Sequence, residues 1–160
     1  MTRESTVSSA EKAAIAKSLG CDHVINYAED DFAEKVDDIT GGEGCHVVYE
    51  SIGKDTYEKS MDCLENFGML VNFGNASGAI PAIEPLELMR RGSLALSRPT
   101  LFNYTSDPAM RQTAAQALFD IVASGKVKIE IGQTFPLADV AAAHTALESR
   151  QTTGSTVLIP

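Results

Sequence analysis

One stretch of the chain, residues 44–78, constrains the fold more than any other. It holds two short apolar runs, Cys45–Tyr49 and Met69–Phe73, and a turn containing glycine follows each run. Between the runs, apolar residues recur at the spacing of a helix: Tyr57, Met61 and Leu64. This pattern predicts a strand, a helix and a second strand, joined by a right-handed crossover that makes the strands parallel. Ligands of such sheets bind beyond the carboxyl ends of the strands, so we expect a cofactor near the two turns.

The rest of the chain continues the alternation of strands and helices. Thr6 and Val7 are typical of the end of a strand, and Ser8-x-x-Glu11 is a capping-box pattern that opens a helix ending at Gly20. The other predicted elements are a strand at His23–Asn26, a helix capped by Asp30 or Asp31 and ended by Gly41, a short helix at Pro85–Arg91, a strand at Ser93–Ser97, a helix from Asp107 to Gly125, a strand at Val127–Ile131, a helix after Pro136-Leu137 that ends near Arg150, and a strand at Thr156–Ile159. The alternation predicts an open α/β sheet, and the sequence has no repeat or linker that would mark a second domain.

Charge and composition exclude several classes of function. The 160 residues carry a net charge of −9, which argues against nucleic acid as a partner. No apolar run approaches the roughly 20 residues of a membrane span, and the first residues have no apolar signal core. The 3 cysteines are odd in number and lack Cys-x-x-Cys spacing, so neither a disulfide framework nor a metal site is indicated. We therefore expect a soluble cytoplasmic protein.

The residues after the first strand suggest a phosphate site. Ser8, Ser9 and Lys12 lie in or before the first turn of a helix, where free backbone N–H groups and the helix dipole favour an anion. The alternative is that Ser8 only caps the helix and that Lys12 is a solvated charge; Glu11 also weakens the phosphate interpretation. Tyr27 follows the second strand and could stack on an adenine, or could pack at the rim of the core. Arg150 could reach a diphosphate, or could end the last helix as a partner of its dipole.

No residue pattern predicts a catalytic centre. The three histidines have no metal-ligand spacing, and Ser51 lacks the Gly-x-Ser-x-Gly setting of a hydrolase nucleophile. No general acid–base pair stands out. By its own chemistry the chain is expected to bind a ligand rather than to react with it.

Several longer motifs, taken together, resemble one known family. They are Val24-Ile25-Asn26-Tyr27, Ile39-Thr40-Gly41-Gly42, Val47-Val48-Tyr49-Glu50-Ser51-Ile52-Gly53, Phe73-Gly74-Asn75-Ala76-Ser77-Gly78, Gly92-Ser93-Leu94 with Arg98-Pro99, and Leu147-Glu148-Ser149-Arg150 through Gly154-Ser155. Their order and spacing resemble those of the quinone oxidoreductases, the zinc-independent, NADPH-dependent, zeta-crystallin-like branch of the medium-chain dehydrogenase/reductase superfamily. The resemblance runs from about Val7 to Pro160.

The resemblance implies roles for particular residues. The serine turn and Lys12 would bind the 2′-phosphate of NADPH, and Tyr27 would lie by the adenosine. The residues implied along the diphosphate and nicotinamide side are Ser51, Phe73, Gly74, Asn75 and Ala76, with Arg150 as a further cofactor contact. The strand near Leu94–Ser97 would pair two copies into a homodimer. No catalytic residue and no metal ligand is implied.

The chain also departs from the family pattern. Family members have an N-terminal catalytic domain, then a first strand, a glycine-rich diphosphate loop and a first helix, and no part of this sequence matches them. We therefore expect residues 1–160 to form a partial, doubly wound, Rossmann-like domain. In the strand order 3-2-1-4-5-6 its sheet would have a gap where the central first strand belongs. An unpaired internal edge must be closed by collapse, swapping or association.

The resulting prediction is the NADPH-binding C-terminal portion of a quinone oxidoreductase. The whole enzyme would transfer hydride from NADPH to a quinone or an activated alkene, and the 160 residues alone would have negligible activity. The alternative is a non-catalytic nucleotide-binding or dimerisation module. A methyltransferase with a similar sheet is a third option, disfavoured because no glycine-rich first loop or acidic strand-end residue is seen.

Overall fold

A computed structural model describes residues 2–149 and 151–160 of the chain. These residues form two compact units: a first unit that ends at Asn103 and a second unit, Tyr104–Pro160. Each is described by itself below. The prediction of a single partial domain stays a prediction.

Strands and helices alternate through both units. The first unit contains β1 (Glu4–Val7), α1 (Ala10–Ser18), β2 (His23–Asn26), α2 (Phe32–Thr40), β3 (Cys45–Glu50), α3 (Tyr57–Asp62), β4 (Leu64–Asn72), α4 (Pro85–Arg90) and β5 (Ala95–Ser97). A short helix, α5 (Leu101–Tyr104), spans the boundary, and the second unit contains α6 (Pro108–Ala123), β6 (Ile131–Pro136), a 3₁₀ turn (Leu137–Asp139), α7 (Val140–Glu148) and β7 (Ser155–Ile159). The predicted α/β class is confirmed.

Every described strand pair is parallel. The first unit holds a two-stranded sheet, β1-β2, and a three-stranded sheet in the order β3-β4-β5, whereas the second unit holds the pair β6-β7. The strands of the first unit therefore fall into two hydrogen-bonded groups with a gap between β1 and β3. This confirms the gap that was expected from the strand order.

The core lies in the first unit. One buried cluster consists of Met61, Leu64, Leu70 and Leu94, and the other consists of Ile25, Val36 and Cys63. Leu70 of β4 is only 1% exposed because its side chain packs in the cluster with Met61 and Leu94. Burying a leucine of this kind contributes about 1.5–3 kcal/mol of hydrophobic free energy.

Local signals set most helix ends. The Asp31 carboxylate accepts a hydrogen bond from the backbone N–H of Ala33 at 3.0 Å and caps α2, while Gly41 ends that helix in the left-handed conformation. The Asp107 carboxylate caps α6 in the same way, and Pro108 follows at the first helical position. These three boundaries agree with the sequence prediction.

Two predictions in the first unit were wrong in detail. The cap of α1 is Ser9 and not Ser8, because Ser9 is the last extended residue and its Oγ reaches the backbone N–H of Lys12. Glu11 therefore does not stand three residues after the cap, and no capping box forms. Leu64 does not extend α3; it opens β4, where pairing with Cys45 of β3 overrides the helical spacing.

Further corrections concern later segments. Val127–Ile131 alternates in polarity but is not a strand: β6 starts at Ile131, where pairing with Ser155 of β7 begins, and Val127 and Ile129 are exposed. β5 starts at Ala95 rather than Ser93, because Leu94 turns into the core. The four-residue helix α5 was not predicted.

Candidate cofactor site

A cleft of about 540 Å³ lies between the two sheets of the first unit. One wall is β1 with the end of β2, and the other wall is β3 with the turn that follows it. Phe32 and Val36 of α2 add apolar surface. The cleft therefore occupies the gap between the two sheets, and its lining includes residues at the carboxyl ends of β1, β2 and β3.

Four of the residues predicted to bind a cofactor line this cleft: Ser8, Lys12, Tyr27 and Ser51. They come from three separate strand ends and the first turn of α1, so only the parallel arrangement brings them together. The lining of the cleft thus includes a cation, hydroxyl groups and an aromatic ring. This is the chemistry expected of a nucleotide phosphate and adenosine site.

Ser9, between Ser8 and the start of α1, caps that helix. Its Oγ accepts a hydrogen bond from the backbone N–H of Lys12 at 3.3 Å, which satisfies one of the free donors at the start of α1. Ser9 is not among the residues that line the cleft. Ser8 and Lys12 are thus the members of the predicted phosphate site that face it.

A buried carboxylate organises the turn after β3. Glu50 is 3% exposed and accepts hydrogen bonds from the backbone N–H groups of Ile52 at 2.7 Å and Gly53 at 2.9 Å, and from the Thr56 hydroxyl at 2.8 Å. Its other neighbour is Asn72, whose Nδ2 donates to Glu50 Oε2 at 2.7 Å. Glu50 therefore fixes the position of Ser51, which lies between it and these donors in sequence.

The sequence did not predict that Glu50 and Asn72 are buried and hydrogen-bonded to each other. A charged residue that ends an apolar strand and precedes a glycine turn was the available signal. Asn72 is fully buried, and its Nδ2 also donates to the carbonyl oxygen of Gly74 at 3.2 Å. Arg98 donates from Nη1 to the carbonyl oxygen of Asn72 at 3.0 Å, which ties the end of β5 to the same turn.

The turn after β4 was also predicted to bind the cofactor. It lies against Ser51, but none of its four predicted residues lines the cleft: Phe73, Gly74, Asn75 and Ala76. The backbone N–H of Ala76 donates to the carbonyl oxygen of Ser51 at 3.2 Å. A side chain at Gly74 would overlap the backbone of Ser51, so only glycine permits this approach. The turns after β3 and β4 therefore form one packed edge.

Two cysteines, Cys45 and Cys63, line the cleft. Burial raises the pKa of the Cys63 thiol to about 12, and burial with the nearby Glu4 and Glu65 carboxylates raises the pKa of Cys45. Both thiols are therefore protonated at neutral pH and are weak nucleophiles. Within residues 2–149 and 151–160, no group of three or more histidine, cysteine or acidic residues could hold a metal ion.

Arg150, the remaining predicted cofactor residue, lies outside the described residues. Among the described helices, none combines the length and the apolar character needed to cross a membrane.

Comparison with known proteins places the chain in a family. A family model described as zinc-binding dehydrogenase matches residues 19–158. The chain is 47% identical over 155 residues to a quinone oxidoreductase of Pseudomonas aeruginosa, covering 97% of this chain and 48% of that protein. It is 49% identical over 156 residues to a 2-haloacrylate reductase of a Burkholderia species, covering 97% of this chain and 47% of that protein.

Solved structures agree with these matches. The crystal structure of the quinone oxidoreductase of Escherichia coli complexed with NADPH matches with a TM-score of 0.94 at 43% identity, over 99% of this chain and 49% of that chain. The predicted Rossmann-like α/β fold is thereby confirmed. The chain spans about half the length of the relatives that it matches. It belongs to the zinc-binding dehydrogenase family.

Proposed function

We propose that this chain is the NADPH-binding part of a quinone oxidoreductase. The observation that carries the proposal is the single cleft that gathers Ser8, Lys12, Tyr27 and Ser51 at the carboxyl ends of parallel strands. Relatives of the chain are named quinone oxidoreductase and 2-haloacrylate reductase, and one related crystal structure contains NADPH.

Different residues at the cleft suit different groups of the cofactor. The Lys12 ammonium group and the start of α1 suit the 2′-phosphate, because a cation and free backbone N–H groups favour an anion there. Tyr27 offers a ring for the adenine. Ser51, held by Glu50, and the glycine approach at Gly74 suit the diphosphate and nicotinamide side.

When bound, NADPH supplies the hydride, and the residues of this chain bind and orient it. The acceptor in the whole enzyme is a quinone or an activated alkene. We expect the 160 residues alone to show negligible NADPH oxidation with a quinone, and robust turnover would contradict that expectation.

The first test is a thermal-shift titration with NADPH and with NADH. NADPH is expected to raise the melting temperature more than NADH does. Lys12→Ala should weaken NADPH binding about tenfold, since it removes a charged contact to phosphate. Lys17→Ala, at the other end of α1, is the matched control and should keep the preference. Equal responses to the two nucleotides, or an unchanged preference in Lys12→Ala, would contradict the 2′-phosphate role.

The proposal includes a homodimer through the free edge of β5. Within the described part of the chain, β5 pairs with β4 alone. Leu96 of β5 is partly exposed, whereas Leu94 is buried in the core and cannot take part. Leu96→Lys should therefore convert a dimer to a monomer in light scattering, because a charge on an edge strand opposes strand pairing. A dimer that survives Leu96→Lys would place the interface elsewhere. The cytoplasmic location expected from the sequence stays a prediction.

A further inference from the structure

Asn72, at the end of β4, joins two turns of the first unit through one side chain. It is fully buried, and its Nδ2 donates to Glu50 Oε2 at 2.7 Å and to the carbonyl oxygen of Gly74 at 3.2 Å. The Glu50 carboxylate binds the turn after β3, whereas Gly74 lies in the turn after β4. A single amide group therefore connects the two turns from inside the fold.

Backbone hydrogen bonds join the same two turns on either side of Gly74. The N–H groups of Phe73 and Ala76 donate to carbonyl oxygens at the end of β3 and in the turn after it, at 2.9 Å and 3.2 Å. Gly74 lies between these two donors, and its own carbonyl oxygen takes a bond from the Asn72 amide. The Asn72 side chain thus fixes the part of the turn that the backbone bonds span.

The direction of the Gly74 carbonyl sets the direction of the next N–H group. A peptide group is planar and trans, so its C=O and N–H point in opposite directions. Because the Gly74 carbonyl is directed at the buried Asn72, the N–H of Asn75 is directed away from it. Gly74 also lies so close to Ser51 that an added Cβ would overlap the Ser51 carbonyl oxygen. A rotation of this peptide would therefore displace Ser51, which lines the cleft.

Asn72 is costly to bury. Among the described residues, its Oδ1 is one of two buried side-chain atoms without a hydrogen-bond partner, the other being Glu4 Oε1. An unpaired buried acceptor destabilises the fold, so stability alone does not explain an amide at this position. A buried hydrogen-bond network does hold the groups that it joins in one arrangement. The contribution of Asn72 is therefore to the geometry of the two turns.

The predicted cofactor residues are divided between two sheets of the first unit. Lys12 and Tyr27, on the adenosine side, follow β1 and β2, whereas Ser51 and the turn after β4 follow strands of the sheet β3-β4-β5. The bonds of the Asn72 amide stay within this second group. A change at Asn72 therefore reaches one half of the proposed NADPH site and leaves the other half in place.

We propose that Asn72 is a positioning residue for the diphosphate and nicotinamide half of NADPH. Asn72 is not among the residues that line the cleft, so it acts through Glu50 and Gly74 and not by touching the cofactor. Its amide holds the two turns at the separation in which Ser51 and the turn after β4 meet the ligand. Because this role rests on the proposed function, the experiment distinguishes failure of the one from failure of the other.

Two ligands separate the halves of the site. NADPH reaches both halves, whereas adenosine 2′,5′-bisphosphate carries the adenosine and the 2′-phosphate without the nicotinamide. Isothermal titration calorimetry with the whole chain gives the dissociation constant of each ligand. We expect the wild type to bind NADPH more tightly than the bisphosphate, because the nicotinamide half adds contacts.

Substitutions of Asn72 test the bridge between the turns. Asn72→Ala removes both donors and should weaken NADPH binding about tenfold, while the affinity for the bisphosphate should change by no more than about twofold. Asn72→Ser keeps one hydroxyl donor, which can serve Glu50 or Gly74 but not both, so its NADPH affinity should be intermediate. Leu94→Val perturbs the core cluster without touching the bridge; it is the matched control and should leave both affinities unchanged.

Hydrogen exchange shows whether the turns themselves loosen. In the wild type, the N–H groups of Ala76 and Ser77 donate to carbonyl oxygens of the turn after β3, at 3.2 Å and 2.7 Å. Without ligand, these two amides should exchange faster in Asn72→Ala than in the wild type, while the amides of α2 stay unchanged. Leu94→Val should not show this local difference.

Each outcome bears on one proposal or on both. A wild type that binds neither ligand would contradict the proposed function and this role with it. Equal loss of both ligands in Asn72→Ala, unchanged NADPH affinity there, or a wild type that binds the two ligands equally well would overturn the role of Asn72 alone. If thermal melts show that Asn72→Ala is unfolded, Asn72→Ser decides: a selective loss of NADPH affinity supports the role, and any other result overturns it.

Discussion

The two units of the molecule differ sharply in how they bury their apolar residues. The first unit holds both buried clusters, whereas Ala143 is the one buried apolar residue among the described residues of the second unit. The 16-residue helix α6 has no buried residue, and Leu118 on it is 55% exposed. Apolar residues thus form a buried core in the first unit, whereas most of those in the second unit are exposed.

The difference follows from the number of layers that each unit can stack. In the first unit, β4 lies between two strands, and residues of α2, α3 and α4 pack against the sheets, so apolar side chains meet on several sides. Among its described residues, the second unit holds one strand pair, β6-β7, and α7 contacts β6. A two-stranded sheet is marginally stable by itself, and a helix gains most of its stability from packing. We therefore expect the first unit to carry most of the free energy of unfolding.

The largest effect should come from the centre of the first unit. Leu70→Ala removes a side chain that is 1% exposed, and the resulting cavity should cost about 2–5 kcal/mol of the free energy of unfolding. Leu118→Ala in α6 is the matched change in the second unit and should alter that free energy by no more than about 0.5 kcal/mol. Urea denaturation followed by circular dichroism measures both. Equal losses would mean that α6 is as well packed as β4, contrary to the comparison.

A buried carboxylate and an exposed one extend the comparison. Glu50→Ala leaves the N–H groups of Ile52 and Gly53 without their acceptor, which should cost about 1–3 kcal/mol. Glu130→Ala in the second unit breaks only the exposed ion pair with Lys128, and its effect should be much smaller because water screens such pairs. The denaturation midpoints of the two variants, compared with that of the wild type, measure these two losses. A small loss for Glu50→Ala would show that the turn after β3 does not depend on this side chain.

The smallest expected effect is a difference in thermal stability between substitutions at two helix caps. Asp31 caps α2 and Asp107 caps α6, and asparagine serves as a cap at either position. Asp31 alone also forms an ion pair, with Lys59 Nζ at 2.6 Å, and this hydrogen bond is the main cause that lowers the pKa of the Asp31 carboxyl below its ordinary value of 3.8. Asp31→Asn should therefore lower the thermal midpoint slightly more than Asp107→Asn does.

The pH dependence of that difference has a definite sign. A carboxyl whose pKa is lowered by folding contributes stability that is present above its ordinary pKa and is lost as the pH falls through the lowered value. The gap between wild type and Asp31→Asn should thus be full above pH 3.8 and should shrink in more acidic solution. Thermal melts between neutral pH and strongly acidic pH test this, and a gap that grows in acid would contradict the assignment.

Much of the local structure was predictable from the sequence because the signals are local. The bounds of β2, the cap at Asp31 and the end of α2 at Gly41 depend on residues within one turn of each other. Ser8, Tyr27 and Ser51, which line the cleft, could be singled out because each follows a predicted strand, and Lys12 because it lies in the first turn of the helix after Ser8. Their binding roles stay predictions. The failures occurred where a distant partner decides: Leu64 joins β4 through Cys45, and the strand expected at Val127–Ile131 instead starts where β7 offers a partner.

The sequence by itself determined the α/β class, most element boundaries, the family resemblance and the residues at the ends of the strands. These depend on periodicity, caps and motifs, which are carried by neighbouring residues. Only the tertiary structure decided that Glu50 is buried against Asn72, 22 positions away, and that Ser8, Lys12, Tyr27 and Ser51 line one cleft. Burial and strand pairing join residues that are distant along the chain, so their outcome depends on the whole arrangement and not on any one stretch.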